Sequence, residues 1–273
     1  MGLLTGKKAL VSGVANRRSI AWGIAQVFHE QGARVALTCV ESTHRRVAKL
    51  AAEIGSDLVF PCDVVKDEDI VGAFEKIGTA FDGKLDVLVH SIAYARLEEM
   101  SGEFLSVTRE GWRVALEVSA YSLVAMARAG RPLMKAAGGG SIVALTFAGS
   151  TRVVPGYNMM GVAKAALEST VRYLAYDLGP DGIRVNALSP GPIPTVSAVV
   201  IERFDDSLQS MTTHSPLLRN VTPRDVANAA VFCAADFSSA ITGATLPIDA
   251  GISTVLAGAG AHPRAGKPAP ERS

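Results

Sequence analysis

Short apolar runs alternate along the chain with longer stretches in which apolar residues recur every three or four positions. The runs are KALVSGV (8–14), ARVALT (33–38), DLVF (57–60), LDVLVHS (85–91), GSIVALT (140–146), IRVNALS (183–189) and ATLPID (244–249). Each is too short for a helix, and most are rich in Val, Leu and Ile, as strands buried on both faces of a parallel sheet are. Between them Ala21, Ile24, Ala25 and Phe28 keep the i, i+3, i+4, i+7 spacing of an amphipathic helix, and Leu167, Val171, Leu174 and Leu178 keep a similar one. Seven strands with helical crossovers predict an α/β fold, a single Rossmann-type doubly wound parallel sheet with helices on both faces.

The stretch GWRVALEVSAYSLVAMARAGRPLMKAA (111–137) reads as helix that is apolar on more than one face. That suits burial against a second subunit as well as against its own sheet. No repeat and no Pro/Gly/Ser linker divides the chain, so residues 1–258 are expected to form one domain. The polar, proline-rich stretch 259–273 is expected to be a disordered tail.

Composition narrows the function classes. A formal net charge of +1 over 273 residues advertises no nucleic-acid or polyanion partner. Cys39, Cys62 and Cys233 are scattered and odd in number, so neither a disulfide framework nor a metal cluster is expected, and a reducing cytoplasm fits. His29, His44, His214 and His262 show no ligand spacing either, and His90 reads as a structural residue at a strand end. The start, MGLLTGKKALVSG, does not read as a signal peptide. The longest uncharged stretch, Val185 to Ile201, holds three prolines and reads as loop rather than membrane span.

The first strand-to-helix turn, SGVANRRSIAWGIA (12–25), holds Gly13 and Gly23, though not in a G-x-G-x-x-G spacing. A dinucleotide fold needs glycine there so that backbone can approach a pyrophosphate at the helix N-terminus. Ser19 suits a helix cap and a phosphate donor alike. Asp63, in CDV (62–64), suits either an adenine amino group or a simple cap. Glu41, at the end of the second strand, would repel a 2′-phosphate, whereas Arg45 and Arg46 would attract one. The balance leans to NADH without excluding NADPH.

YNMMGVAK (157–164) places Tyr157 and Lys164 seven apart, with Met160 four before the lysine. Seven helical residues turn about 700°, so the two side chains share a face roughly 10 Å apart along the axis. A lysine ammonium can hold ribose hydroxyls and lower the pKa of a phenol, and a tyrosine hydroxyl can donate to a carbonyl oxygen gaining charge. Spacing alone fits equally a wet turn tyrosine and a solvated lysine.

Over residues 3 to 256 the chain resembles bacterial enoyl-acyl-carrier-protein reductases of the short-chain dehydrogenase/reductase superfamily. The resemblance rests on SGVANRRSIAWGIA, CDV, HSIA (90–93), YNMMGVAK, YLAYDLGPDGIRVNALSPGPI (173–193) and VTPRDVANAAVFCAADFSSAITG (221–243). Tyr-x6-Lys and the HSI tripeptide set the enoyl reductases apart from the alcohol and ketone branches. The resemblance implies NADH-dependent reduction of the trans-2 double bond of enoyl thioesters on acyl carrier protein in fatty acid synthesis. Hydride would reach C3, with Tyr157 steadying the enolate and Lys164 holding the nicotinamide ribose.

It further implies that Gly13, Ser19, Ile20, Asp63, Val64, Ser91, Ile92 and Ala93 line the adenosine and pyrophosphate path, with Ile193 and Thr195 near the carboxamide. Residues 192–217 would be a lid over the acyl chain, although they read equally as a surface helix. A homotetramer is implied as well. Three departures stand out. Phe147 replaces a frequent second tyrosine ten residues before Tyr157. Ala93 replaces a glycine, and its methyl would crowd the pyrophosphate. Asp249-Ala250 replaces an aspartate-glycine pair and is expected to be neutral. The alternatives are a carbonyl reductase or alcohol dehydrogenase on the same fold, and a cofactor-binding paralogue with little turnover.

Overall fold

The computed structural model describes residues 2–198, 204–256 and 260–266. All seven apolar runs form strands: β1 (Lys8–Ser12), β2 (Arg34–Cys39), β3 (Val59–Pro61), β4 (Val87–His90), β5 (Gly140–Leu145), β6 (Ile183–Pro190) and β7 (Thr245–Ile248). They pair in parallel in the order β3-β2-β1-β4-β5-β6-β7. The chain leaves the sheet centre in one direction after β1 and in the other after β4. That topological switch opens a crevice beyond the carboxyl ends of the two strands, where open α/β sheets bind their ligands.

Alternation along the central strands splits the core in two. Ala9 and Val11 of β1 point to the face covered by α1 (Ile20–Glu30), α2 (His44–Glu53) and α8 (Pro223–Ala234). Leu10 points to the face covered by α3 (Asp67–Ala80), α5 (Ser122–Ala136) and α6 (Asn158–Leu178). The expected stripe Ala21, Ile24, Ala25, Phe28 is buried, as are Leu167, Val171 and Leu178 of the second, while Leu174 is partly buried.

The stretch 111–137 is interrupted. A helix α4 (Arg109–Leu116), a π-helical turn Glu117–Tyr121 and then α5 follow one another. Periodicity of 3.6 does not reveal such a bulge, and bulges of this kind gather at functional sites. The first part of the Val185–Ile201 stretch, up to Pro190, belongs to β6, as the apolar run 183–189 anticipates. Of the anticipated lid, residues 196–198 form a turn and Phe204–His214 form α7, with Phe204 and Met211 buried. Residues 199–203 of it lie outside the described residues.

Residues 260–266 include a turn, and the His262 N–H donates to the Thr213 carbonyl at 2.8 Å. Residues 257–259 and 267–273 lie outside the described residues. Among the described residues no helix is long and apolar enough to cross a membrane.

Candidate active site

The β1–α1 turn has the form a dinucleotide requires. Gly13 has φ +84°, and a Cβ there would lie 2.0 Å from the Ser91 carbonyl oxygen. Only glycine lets the ends of β1 and β4 approach this closely. Ser19 caps α1, its hydroxyl accepting from the Trp22 N–H at 3.3 Å, so the helix N-terminus opens on the crevice. Ile20 is the first residue of that helix, and Ser91 and Ile92 lead out of β4 as half-buried residues followed by the exposed Ala93.

Asp63 does not cap α3, whose N-cap is Lys66; its Oδ1 instead accepts from the Val65 N–H at 3.3 Å in the turn that follows β3. It also lines a cavity of about 540 Å³ with Glu41, Cys62 and Lys66 at the ends of β2 and β3. Both roles are open to it at once, because a carboxylate accepts several bonds. Val64 is buried in the core behind it. Ile193 is buried after β6, and Thr195 accepts from the Ala198 N–H at 3.1 Å. The second cavity, about 400 Å³ and lined by Lys7, Asp86, Gly139 and Arg184, lies at the opposite end of the strands, away from this crevice.

Tyr157 is the N-cap of α6, with φ −115° and ψ −11°, rather than a residue of its first turn. The helical arithmetic therefore does not hold its ring, and packing does. The Phe147 ring stands edge-on to it, centroids 5.0 Å apart. On another side Gly149 leaves room that a Cβ would close, at 2.6 Å from Tyr157 Cδ1. Burial raises the pKa of the phenol, so it stays protonated and able to donate. Among the described residues its hydroxyl has no hydrogen-bond partner.

Lys164 lies on the buried stripe of α6 and is 5% exposed. Its Nζ donates to the Leu145 carbonyl at 2.6 Å. Burial draws its pKa down to about 8, against the opposing pull of Glu168. Glu168, one turn on, accepts from the Thr146 hydroxyl at 2.7 Å. Met160, four residues before the lysine, is buried, and its sulfur receives the Ser119 hydroxyl at 3.9 Å.

His90, at the end of β4, completes the floor. Its Nε2 lies 2.7 Å from Ser122 Oγ, which itself lies 2.6 Å from the Val118 carbonyl. A carbonyl cannot donate, so the serine proton goes to Val118 and Nε2–H donates to the serine. Nδ1 is then a bare acceptor, buried and without a partner among the described residues. Burial, with Lys164 as second cause, holds this imidazole neutral, its pKa near 3.

The sequence reading missed Thr146, Gly149 and Glu168. Glu168 did leave a trace, since it falls on the same helical face as Lys164, Leu167 and Val171. Gly149 and Thr146 act across elements and leave none. Ala250 sits at φ +54°, between Asp249, whose carboxylate accepts from the Gly251 and Ser253 N–H groups, and the tight turn at Gly251.

Comparison with known proteins agrees with this geometry. The family model described as enoyl-(acyl carrier protein) reductase matches residues 13–253. A curated relative from Aquifex aeolicus, an enoyl-acyl-carrier-protein reductase (NADH) FabI, is 48% identical over 252 residues, 92% of this chain and 93% of that protein. A solved Bacillus cereus enoyl-acyl carrier protein reductase, in complex with NADP+ and an indole naphthyridinone, superposes with a TM-score of 0.91 at 43% identity, over 94% of this chain and 100% of that one. The Anaplasma phagocytophilum enzyme in complex with NAD gives 0.89 at 41% identity, covering 93% and 96%.

Proposed function

The chain belongs to the enoyl-(acyl carrier protein) reductase family, and from that premise we propose that Tyr157 and Lys164 carry its reaction. The protein is an NADH-dependent reductase of the trans-2 double bond of enoyl thioesters borne by acyl carrier protein, in fatty acid biosynthesis. The observation that carries the site reading is a protonated Tyr157 hydroxyl without a hydrogen-bond partner among the described residues, at the N-cap of the helix that also buries Lys164.

The crevice fits the cofactor. Gly13 keeps its wall at backbone thickness, Ser19 opens the α1 N-terminus toward a pyrophosphate, and Asp63 offers an acceptor for an adenine amino group. Ile20, Val64, Ser91, Ile92 and Ala93 would border the same path, with Ile193 and Thr195 near the carboxamide. NADH bound there supplies the hydride to C3. Tyr157 donates a hydrogen bond to the thioester carbonyl oxygen, where negative charge gathers as the enolate forms, and protonation of that enolate at C2 completes the saturated thioester. Lys164 bonds the nicotinamide ribose and holds positive charge beside the reacting end.

Met160 argues against the carbonyl-reductase alternative. That chemistry needs a proton donor one turn before the lysine, and a packed thioether has no proton to give. Parallel assays with NADH and NADPH on crotonyl and longer enoyl thioesters test the cofactor reading. It expects NADH to be preferred and fails if only NADPH is oxidised.

The reading extends to one catalytic domain over residues 1–258, in which α7 serves as part of the substrate lid. It also extends to a homotetramer in the cytoplasm. Trp112, Tyr121, Tyr173 and Tyr176 leave aromatic surface exposed on and beside α4 and on α6, which supports an interface there. The three free, buried cysteines support a reducing compartment.

A further inference from the structure

Three consecutive residues at the end of β5 grip three positions of α6. The Leu145 carbonyl accepts from Lys164, the Thr146 hydroxyl donates to Glu168, and the Phe147 ring stands against Tyr157. The lysine and the tyrosine already have roles in the reaction. Thr146 and Glu168 have none, yet both are buried, Glu168 at 8% exposure. A carboxylate with one neutral donor in a helix–sheet seam is costly unless an opposite charge faces it. The charge that faces Glu168 is Lys164, one turn earlier on the same buried stripe.

We propose that Glu168, fixed by Thr146 one turn further along the buried stripe of α6, is a positioning residue whose carboxylate keeps the Lys164 ammonium charged. The proposal rests on the reading of Lys164 as a cofactor-binding residue.

The neighbours of Lys164 leave this task to Glu168. From β5 comes a neutral carbonyl, and from β4 comes His90, held uncharged by burial. The π-helical turn contributes Ser119, and α5 opens with Ser122. From the start of α6 comes Tyr157, protonated. Arg152, in the loop before α6, is turned to the Ser253 carbonyl, and Arg184 of β6 to Ser238. Only Glu168 opposes the desolvation that draws the lysine down to about 8. The two make no ion pair within 4.0 Å among the described residues, so the coupling acts through space rather than by a shared proton. Without the carboxylate, Lys164 would release its proton at lower pH and its hold on the ribose would weaken at neutrality.

NADH binding, followed by nicotinamide fluorescence from pH 6 to 9, tests this without relying on turnover. In the parent protein affinity should fall as pH rises through about 8. In Glu168→Gln the fall should come about one unit earlier, so the variant binds nearly as well at pH 6 and about fivefold worse near pH 8. Thr146→Val, which keeps the carboxylate but frees it, should shift the profile in the same direction by less. It also serves if Glu168→Gln does not fold. Profiles that overlay, or that differ by one factor at every pH, overturn the proposal. Lys164→Ala separates the two levels: if it binds NADH like the parent, the site reading itself falls. If it binds weakly while both other variants keep the parent profile, only the role of Glu168 falls.

Discussion

The Phe147 ring meets Tyr157 edge-on, planes at 67° and centroids 5.0 Å apart, and so takes part in the site by packing rather than by donating a proton. An edge-to-face pair contributes about 0.5–1.5 kcal/mol beyond its buried area. Phe147→Ala should therefore lower kcat on enoyl thioesters roughly three- to tenfold, with NADH affinity unchanged. Phe147→Tyr should stay active. Steady-state kinetics with a parallel NADH titration checks this, and a Phe147→Ala enzyme as fast as the parent would contradict it.

Tyr157 and Lys164 should fail in different ways. Tyr157→Phe removes one hydrogen bond to the developing enolate, about 1 kcal/mol, and should slow turnover of poor substrates about five- to tenfold while sparing cofactor binding. Lys164→Ala should weaken NADH binding first. Kinetics and titration on both variants decide the matter, and two variants that match the parent in both would remove these residues from the site.

His90 ties stability to acid. Its pKa is lowered from 6.5 to about 3, so between those values the unfolded chain binds a proton that the native one refuses. Stability contributed by the neutral imidazole is thus full above about pH 6.5 and is lost as pH falls toward about 3. One proton over this range amounts to about 2 kcal/mol between pH 7 and pH 5. Urea unfolding at these two pH values should show that loss in the parent and a smaller one in His90→Gln, which cannot titrate. Equal slopes would mean that His90 is not the group responsible.

Ala250 stands in the left-handed region at φ +54°, which costs an L-residue about 1–2 kcal/mol. Ala250→Gly relieves that strain but adds freedom to the unfolded chain, so a net gain of roughly 0.5–1 kcal/mol is expected. Chemical denaturation measures it. A loss of stability would show that the Ala250 methyl makes contacts that outweigh the strain.

The sheet was legible because burial on both faces leaves a continuous apolar signal, and all seven runs became strands. Gly13 and Ser19 were legible because their backbone demands are local. The grip of Leu145, Thr146 and Phe147 on α6 was not, since a strand end and a helix meet only after folding. Glu168 illustrates the limit. On a helix, Lys and Glu four apart usually form a solvated pair, and only their place among Leu167, Val171 and Met160 marks them as buried. The π-helical turn at Glu117–Tyr121 hid inside an apolar run whose period could not register one extra residue. Tyr157 was found through its spacing from Lys164, yet Phe147 and Gly149 hold it in place.

The central claim is that this site reduces a carbon–carbon double bond and not a ketone. The direct measurement supplies purified protein and NADH with trans-2-enoyl thioesters and, separately, with 3-ketoacyl thioesters of the same chain length, and identifies the products. The account predicts NADH oxidation with the enoyl substrates, giving saturated thioesters, and none above background with the keto substrates. Oxidation with the keto substrates alone, giving 3-hydroxyacyl thioesters, would contradict it.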